Sequence, residues 1–552
     1  MKYSRFLLFF TAAAMAAGYS TSTVMEVTPE GAFATHPAGP FPALFRMTEP
    51  LSQDADLIWH YTVATGLTQK ISTMGDQGYY VFTGGWYGGG LMFRGLDGDG
   101  TVYWETEPVL GDSLYTKNLA TGTASAYNVD AFFLVRTFDV WNDNGTPGSS
   151  GDDFLVSEDN VEVCYFLGDD SDPQWTWDGT GIFLPASPDE PGTCTCTDDG
   201  SVLVVGGAIN NNTGLAVFHP DSANPSLLYE NVSYQYFPRQ VRVTADGSKI
   251  ICSVAADLLR VDIATGNLET TYNLGASTDC FAISADGSAV AYGFTSARLA
   301  QWNGSSYAQA WSYPISGYYA GSAAISADGQ KVFYGFYKNT YLSNRIIRFD
   351  AASPSPVWTY DTPSGGGGYQ DVVSWMDCTL DGSKLAVASW GCQSGGGDEV
   401  IVIADDSPAE PFFSVNSPGS MWHVDISPDG SYVCATGKHV HANVMGSGAD
   451  VYMADVSETG IEGSGYSGPL GLSLYPNPSS GSSAIGFTLP AQGNVEVSVF
   501  DLTGRKVQQM TADGLARGDH AMPISADLPS GLYIVSLRFG EETVSQKLVV
   551  SR

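Results

Sequence analysis

A short turn sequence recurs six times between residues 197 and 437, and it constrains the fold of this chain more than any other feature. Each copy has a small or hydroxyl residue, then an Asp-Gly pair, then an apolar run. The turn aspartates are Asp199, Asp246, Asp286, Asp328, Asp381 and Asp429, at intervals of 47, 40, 42, 53 and 48 residues. Repetition at this period indicates supersecondary units that bury their apolar faces only against one another.

Each repeat carries enough alternating sequence for about four short strands. An aromatic segment such as Trp311-Ser-Tyr313 precedes the turn. A further apolar strand such as 258–266 follows the turn. β-Branched and aromatic residues alternate, with Asn, Asp, Gly and Pro between them. Four-stranded sheets repeated around an axis form a β-propeller, so the predicted fold class is all-β.

Weaker copies of the repeat precede the six clear ones, with Asp76 in place of one turn aspartate and a degenerate unit near residue 130. The propeller is therefore predicted to span 50–456 with seven or eight blades. The repeats stop after strand 450–456, and a spare strand lies at 56–61. We predict that this N-terminal strand closes the last blade, because an open ring would expose a pairing edge.

The two ends of the chain have sequences of a different kind. Residues 1–20 have the pattern of a secretory signal peptide, with Lys2 and Arg5 before a short apolar run. No other stretch approaches the roughly 18 apolar residues of a membrane-spanning helix, so no transmembrane segment is expected. Residues 457–472 are rich in Gly and Ser and are interpreted as a flexible linker.

Residues 473–552 have strands of strict alternation, with Val495, Val497 and Val499 on one face. A turn at 501–504 and a hairpin bend at Gly540 are expected to reverse the chain. Such a segment of about 80 residues predicts a small antiparallel β-sandwich after the propeller.

Charge and cysteine content narrow the range of partners and chemistry. The net charge of −35 argues against nucleic acid or an anionic membrane as partner, because phosphate contacts need clustered Lys and Arg. The eight cysteines select no disulfide pairing by their spacing. Buried apolar residues are the leading interpretation, disulfides the second and metal ligands the third.

The tail resembles the type A C-terminal sorting domain of the type IX (Por) secretion system of Bacteroidetes. The matching pieces are Tyr475-Pro476-Asn477-Pro478, the segment 501–507 with Gly504, and the segment 528–533 with Gly531. The resemblance implies export, recognition of residues 473–552 by the translocon, and a secreted or surface-attached product. It implies nothing about the activity of the rest of the chain.

Residues from about 50 to 456 resemble WD40, YVTN and quinoprotein-like propellers, through their S-x-D-G turns and pieces such as 261–272. The Trp-Asp dipeptide of WD40 repeats is missing from the blade ends. The resemblance therefore implies the fold but no particular function.

Candidate ligand-binding residues lie in the loops before the innermost strands, which converge on one rim of a propeller channel. They are Tyr236, Phe237, Arg239, Tyr318, Tyr319, Tyr369, Trp375, Trp422 and His423. Aromatic faces with a few polar groups suit sugars or flat organic ligands. The alternative is that these aromatics simply pack between blades.

Two of the histidines are candidate metal ligands. His439 and His441 would face the same side of one strand and could form a metal pair, but no third ligand is specified by spacing. No metal site and no cofactor are therefore predicted.

The sequence lacks G-x-S-x-G, H-E-x-x-H and P-loop motifs. We expect an exported binding or interaction module with a carbohydrate or protein ligand. The alternative is a secreted enzyme of quinoprotein-dehydrogenase or glycan-degrading type that uses channel residues such as Arg239, Tyr319 and His423. A structural module of a surface assembly is a third possibility.

Overall fold

A computed structural model describes strands between residues 23 and 106, most of 113–457 and most of 472–550. Before residue 110, the only side chain described is that of His60. The segments outside the description within 113–550 are 130, 146–150, 168–169, 171, 187–191, 339, 341–342, 363–370, 392–397, 442–447, 458–471, 476–482, 490–492, 502–504, 516–517, 525–527, 530 and 541. The predicted signal peptide, Asp76, Tyr369 and most of the linker therefore lie outside the described residues. The chain divides into two compact units, Met1–Val456 and Ser457–Arg552.

The described part of the first unit contains nine antiparallel sheets, and we number the eight larger ones as blades. Two short pairs come first: β1 (Thr23–Val27) with β2 (Phe33–Pro37), and β3 (Phe45–Arg46) with β4 (Leu57–Val63). Blade 1 contains β5 (Leu67–Met74), β6 (Tyr79–Gly85), β7 (Phe93–Leu96) and β8 (Val102–Thr106). Blade 2 contains β9 (Leu114–Ala126), β10 (Ala131–Asn142), β11 (Phe154–Leu167) and β12 (Trp175–Asp178). In blade 3, β13 (Leu184–Pro185) and β14 (Cys194–Cys196) both pair with β15 (Leu203–Ile209), before β16 (Asn212–His219) and β17 (Ser222–Asn231).

The remaining blades repeat the four-stranded pattern. Blade 4 contains β18 (Pro238–Val243), β19 (Lys249–Val254), β20 (Asp257–Asp262) and β21 (Leu268–Asn273). Blade 5 contains β22 (Cys280–Ile283), β23 (Ala289–Gly293), β24 (Ser296–Trp302) and β25 (Tyr307–Pro314). Blade 6 contains β26 (Tyr318–Ile325), β27 (Lys331–Lys338), β28 (Asn344–Asp350) and β29 (Pro356–Asp361). Blade 7 contains β30 (Val373–Cys378), β31 (Lys384–Ser389), β32 (Val400–Ala404) and β33 (Phe413–Val415). Blade 8 contains β34 (Met421–Ile426), β35 (Tyr432–Lys438), β36 (Ala449–Asp455) and β4, with the short β3 as a fifth strand at its edge.

The blades close into a ring. The inner strands touch in the cyclic order β5, β9, β14, β18, β22, β26, β30, β34 and again β5. The fold is thus an eight-bladed β-propeller, the higher of the two predicted blade numbers. The N-terminal strand β4 pairs with β36 of the last blade, from Val63 opposite Ala449 to Leu57 opposite Ala454. The predicted closing strand is confirmed.

The repeated turns join the first and second strands of their blades and have a structural role. In blade 4, the Thr244 hydroxyl donates to Asp246 Oδ1 at 2.6 Å, and the backbone N–H of Ser248 donates to the same oxygen at 3.0 Å. Gly247 follows with φ +66°, which favours glycine. Equivalent bonds hold Asp199, Asp286, Asp328, Asp381 and Asp429. The structural interpretation of these aspartates is confirmed.

The residue before each turn aspartate links neighbouring blades. The backbone N–H of Ala245 donates to Ala285 O at 2.7 Å, and Ala285 N–H donates to Ala327 O at 2.9 Å. Ala327 N–H donates in turn to Leu380 O at 2.7 Å. Only backbone atoms of the residue before the turn aspartate form this bond. Its side chain can therefore differ between repeats while the rest of the turn sequence recurs.

The aromatic markers of the repeats lie in the outer strands and contact the next blade. Trp175 Nε1–H donates to Pro220 O at 2.8 Å, Trp311 Nε1–H to Ala351 O at 2.9 Å, and Trp358 Nε1–H to Asp405 Oδ1 at 2.8 Å. These rings add apolar contacts between neighbouring blades. Seven described cysteines are free thiols, namely Cys164, Cys194, Cys196, Cys252, Cys280, Cys378 and Cys434.

The second unit is a small β-structure with two sheets. One contains β37 (Leu472–Tyr475), β38 (Ser483–Leu489) and β41 (Gly518–Ile524). The other contains β39 (Gly493–Asp501), β40 (Lys506–Leu515), β42 (Gly531–Phe539) and β43 (Glu542–Val550). The alternating residues Val495, Val497 and Val499 are buried in its core, as predicted. In the described part of the chain, no helix is long and apolar enough to cross a membrane.

Candidate functional site

The inner strands of the propeller line a channel cavity of about 330 Å³. One repeat position faces it in every clear repeat, four residues before the turn aspartate. The residues at this position are Thr195, Arg242, Ala282, Ala324, Asp377 and Asp425, and all six line the cavity. Three of these six side chains are ionisable, so the charge of the cavity wall differs from blade to blade.

Arg242 is held in the channel by backbone and amide oxygens. Its guanidinium donates to Val241 O at 2.8 Å, Gln240 Oε1 at 2.9 Å and Phe281 O at 3.3 Å. Burial lowers its pKa to about 10, against the opposing influence of Asp377. The group is still cationic at neutral pH, so it supplies a fixed positive charge to the cavity.

Asp377 and Asp425 form a carboxyl pair on adjacent inner strands. Asp377 Oδ2 accepts the backbone N–H of Ile426 at 3.1 Å, which places it beside Asp425. Burial, and then the charge of Asp425, raise the pKa of Asp377 well above its usual value. A raised pKa in one of two neighbouring carboxyl groups favours a proton shared between them. The pair can therefore both donate and accept hydrogen bonds.

An aromatic face completes the cluster. The rings of Trp375 and His423 lie 5.0 Å apart at 31°, and the Arg242 guanidinium lies 5.4 Å from the centre of the Trp375 ring. Both rings line the cavity. We call Arg242, Trp375, Asp377, His423 and Asp425 the channel cluster.

Among the predicted ligand-binding residues, Trp375 and His423 belong to the channel cluster. Tyr318 and Tyr319 line a separate pocket of about 310 Å³ with Pro314 and Thr295. Tyr319 also contacts Phe294, with ring centres 5.5 Å apart.

The other predicted residues lie elsewhere. Tyr236 and Phe237 are exposed, and the half-exposed Arg239 forms an ion pair with Asp279. The ring of Trp422 packs edge-to-face on Trp390, with centres 5.0 Å apart. Of the described members of this set, Trp375 and His423 line the channel cavity, and Tyr369 lies outside the described residues.

Sequence reasoning missed Arg242, Asp377 and Asp425. The signal was present, because alignment of the six repeats on their turn aspartates puts these three charges in one column with Thr and Ala. A charged residue at a repeat position that otherwise holds small, uncharged residues indicates a functional role.

The two histidines of the suggested metal pair have different partners. His439 Nδ1 hydrogen-bonds with Asp450 Oδ2 at 2.8 Å, while His441 Nδ1 lies 3.2 Å from Trp390 O. Within the described ranges, no group of three or more His, Cys, Asp or Glu side chains is placed to hold a metal ion.

Comparison with known proteins identifies the tail. Residues 473–551 match the family described as secretion system C-terminal sorting domain. This segment is a type IX secretion sorting domain. Of its motif residues, Tyr475 lies in β37 and Gly531 begins β42, whereas Pro476, Asn477, Pro478 and Gly504 are outside the described residues. A sorting domain of this type implies a secreted or cell-surface protein.

Several solved structures are similar to the chain at low identity. The β-propeller domain of Cps50 (Swd1) from Myceliophteria thermophila is 10% identical, with 60% of this chain and 95% of that chain covered and a TM-score of 0.39. A chain of the mitotic checkpoint complex is 12% identical, with coverage of 63% and 93% and a TM-score of 0.41. A chain of hydrazine synthase from Kuenenia stuttgartiensis is 17% identical, with coverage of 46% and 76% and a TM-score of 0.34. No curated protein sequence matches the chain.

Proposed function

We propose that this protein is an exported β-propeller that binds a small hydroxyl-rich ligand, such as a sugar, in its channel. The observation that carries the proposal is the channel cluster. It brings a fixed cation, a carboxyl pair and an aromatic face to one cavity, whereas the same repeat position is Ala282 and Ala324 in blades 5 and 6.

The chemistry of the cluster suits a sugar. Paired hydroxyls can donate to and accept from the carboxyl pair, and Arg242 can donate to a further oxygen. The apolar face of a sugar ring packs on an indole such as Trp375. A cavity of about 330 Å³ lies at the lower end of the range for small-molecule sites, which favours one or two sugar units.

Trp375→Ala is expected to weaken ligand binding about tenfold or more, since it removes the stacking face. The measurement is isothermal titration of the full chain with a panel of mono- and disaccharides. Phe237→Ala is the matched control, because this exposed aromatic lies outside the cavity, and it should leave the affinity unchanged. Equal loss in both variants, with both folded, would contradict a channel site.

The carboxyl pair also favours a second candidate, a glycan hydrolase. Neighbouring carboxyl groups that share a proton can act as general acid and general base. Release of reducing ends from an oligosaccharide by the wild type, lost in Asp377→Asn, would replace the binding proposal with this one. Binding without turnover supports the first candidate.

We also propose that the type IX translocon recognises residues 473–552 after the signal peptide has directed export. A chain that ends at residue 472 should remain in the periplasm, whereas the full chain reaches the cell surface or the medium. Cell fractionation with antibody detection measures the difference. Equal amounts of both chains outside the cell would show that the tail is not needed.

A further inference from the structure

Two buried lysines at blades 7 and 8 have contrasting surroundings. Lys384 and Lys438 are each 6% exposed. The Lys384 amine donates to Gly430 O at 2.8 Å and Val456 O at 2.6 Å. The Lys438 amine has no such acceptor among the residues that the structure describes, and its nearest aromatic contact is the Trp422 ring, at 5.9 Å from the ring centre.

The two tryptophans beside Lys438 also carry unused donors. Trp390 and Trp422 pack edge-to-face, and the indole N–H of each is buried without an acceptor in the described part of the chain. The ammonium and the two indole N–H groups are three buried donors that have no acceptor among the described residues, and the unpartnered Glu399 Oε1 beside Gly391 bonds to none of them. Buried polar groups in native proteins are normally paired, so three unpaired donors in one place point to a ligand.

No counter-charge balances Lys438 within the described surroundings. The only cause that shifts its pKa, to about 8, is burial. A buried carboxyl group of the same region is Glu399, whose Oε1 lies 3.9 Å from His441 Nδ1. Burial raises the pKa of Glu399 to about 8, so this carboxyl is largely uncharged at neutral pH.

The segments that follow Trp390 and His441 in the sequence carry no acidic residue that could supply the missing charge. Residues 392–397 follow Trp390 and Gly391 and read CQSGGG, and residues 442–447 follow His441 and read ANVMGS. Neither contains Asp or Glu. A bound anion is then the simplest source of compensation for a buried ammonium.

We propose that Lys438, Trp390 and Trp422 form a second ligand site, which binds the oxyanion of a small molecule, a carboxylate or a sulfate. None of the three residues lines the channel cavity, so the site is separate from the channel cluster and goes beyond the proposed function. The ammonium supplies a point charge, the indole N–H groups direct the oxygens, and the ring faces accommodate the carbon skeleton.

The test uses the full chain and three probes: glucuronate, glucose and sulfate. Titration calorimetry should show binding of glucuronate or sulfate to the wild type. Lys438→Met should lower that affinity at least tenfold, because methionine keeps the length and removes the charge. Lys338→Met is the matched control, since it makes the same charge change at an exposed position, and it should bind like the wild type. A wild type that binds neither anion, or equal binding by both variants, would overturn the proposal.

The probes also separate the sources of the oxyanion. Glucuronate binding without sulfate binding assigns a carboxylate, and the reverse assigns a sulfate. If glucose binds as tightly as glucuronate at this site, the proposal fails.

Discussion

Asp450→Ala is expected to destabilise the propeller by about 3 kcal/mol, because it removes a buried carboxylate that holds the closing strand. His60 on β4 and His439 beyond β35 bond to its two oxygens, at 2.7 Å and 2.8 Å. Asp450 is fully buried, and the His60 ring stacks on Tyr452 of the neighbouring strand with centres 4.3 Å apart. The carboxylate therefore joins the N-terminal strand to the last blade.

The stability lost in Asp450→Ala should depend on pH. Burial opposes ionisation of Asp450, but the bonds from His439 and His60 outweigh it and lower the pKa, and the same bond raises the pKa of His439. The Asp450 contribution is present above the usual aspartate pKa and is lost as pH falls through the lowered value. The His439 contribution is present below the usual histidine pKa and is lost as pH rises through the raised value. The variant should thus differ more from the wild type near pH 5.5, about one unit below the usual histidine pKa, than near pH 8.5, about two units above it.

Urea unfolding followed by tryptophan fluorescence measures this effect on the propeller alone, because the last of the twelve tryptophans is Trp422 and the sorting domain has none. His441→Ala is the control, since it removes a buried histidine of the same region that does not bond to Asp450. An Asp450→Ala loss that is the same at both pH values, or no larger than that of the control, would show that the histidine bonds do not stabilise the closure.

Gly287→Ala is expected to cost about 3 kcal/mol, from strain at a left-handed residue and from overpacking between blades. Gly287 has φ +65°, and a Cβ there would lie 2.4 Å from Ile251 Cδ1 and 2.9 Å from Thr244 Cγ2 of the preceding blade. Ile251 is fully buried and has little room to move.

Gly181→Ala separates the cost of backbone strain from the cost of overpacking between blades. Gly181 has φ +74°, but nothing lies within 4 Å of the position a Cβ would take. Its substitution should cost only the backbone strain, about 1 kcal/mol. The same fluorescence measurement gives both values. If the two variants lose equal stability, the turn glycines are selected for backbone conformation alone and not for blade contact.

The turn sequence made most of the propeller predictable. Bonds such as Thr244 to Asp246 are local, so they depend on residues two or three apart and appear directly as a sequence pattern. The closing strand was also predictable, because the last blade lacked one strand and 56–61 could supply it. The degenerate first blades were harder to place, since Asp76 stands alone without the hydroxyl partner of the later turns.

The candidate sites were predictable only in part. Trp375 and His423 were found because they precede a turn, whereas the carboxyl pair was overlooked as two ordinary strand residues. The arrangement of Tyr236, Phe237 and Trp422 could not be foreseen, because loop side chains of equal sequence spacing can face the solvent, a neighbouring ring or the channel. Whether Trp375 and His423 bind a ligand stays a prediction.

By itself, the sequence determined the repeating unit, the closure of the ring and the export tail, because each depends on contacts that recur at fixed spacing or on a contiguous motif. Only the tertiary structure decided which charges meet. Asp377 and Asp425 are 48 residues apart and Arg242 is more distant still, and they share a cavity because the ring brings one position of each repeat to the same axis. Electrostatic and stacking interactions act over a few ångströms of space, and a linear spacing does not record that distance.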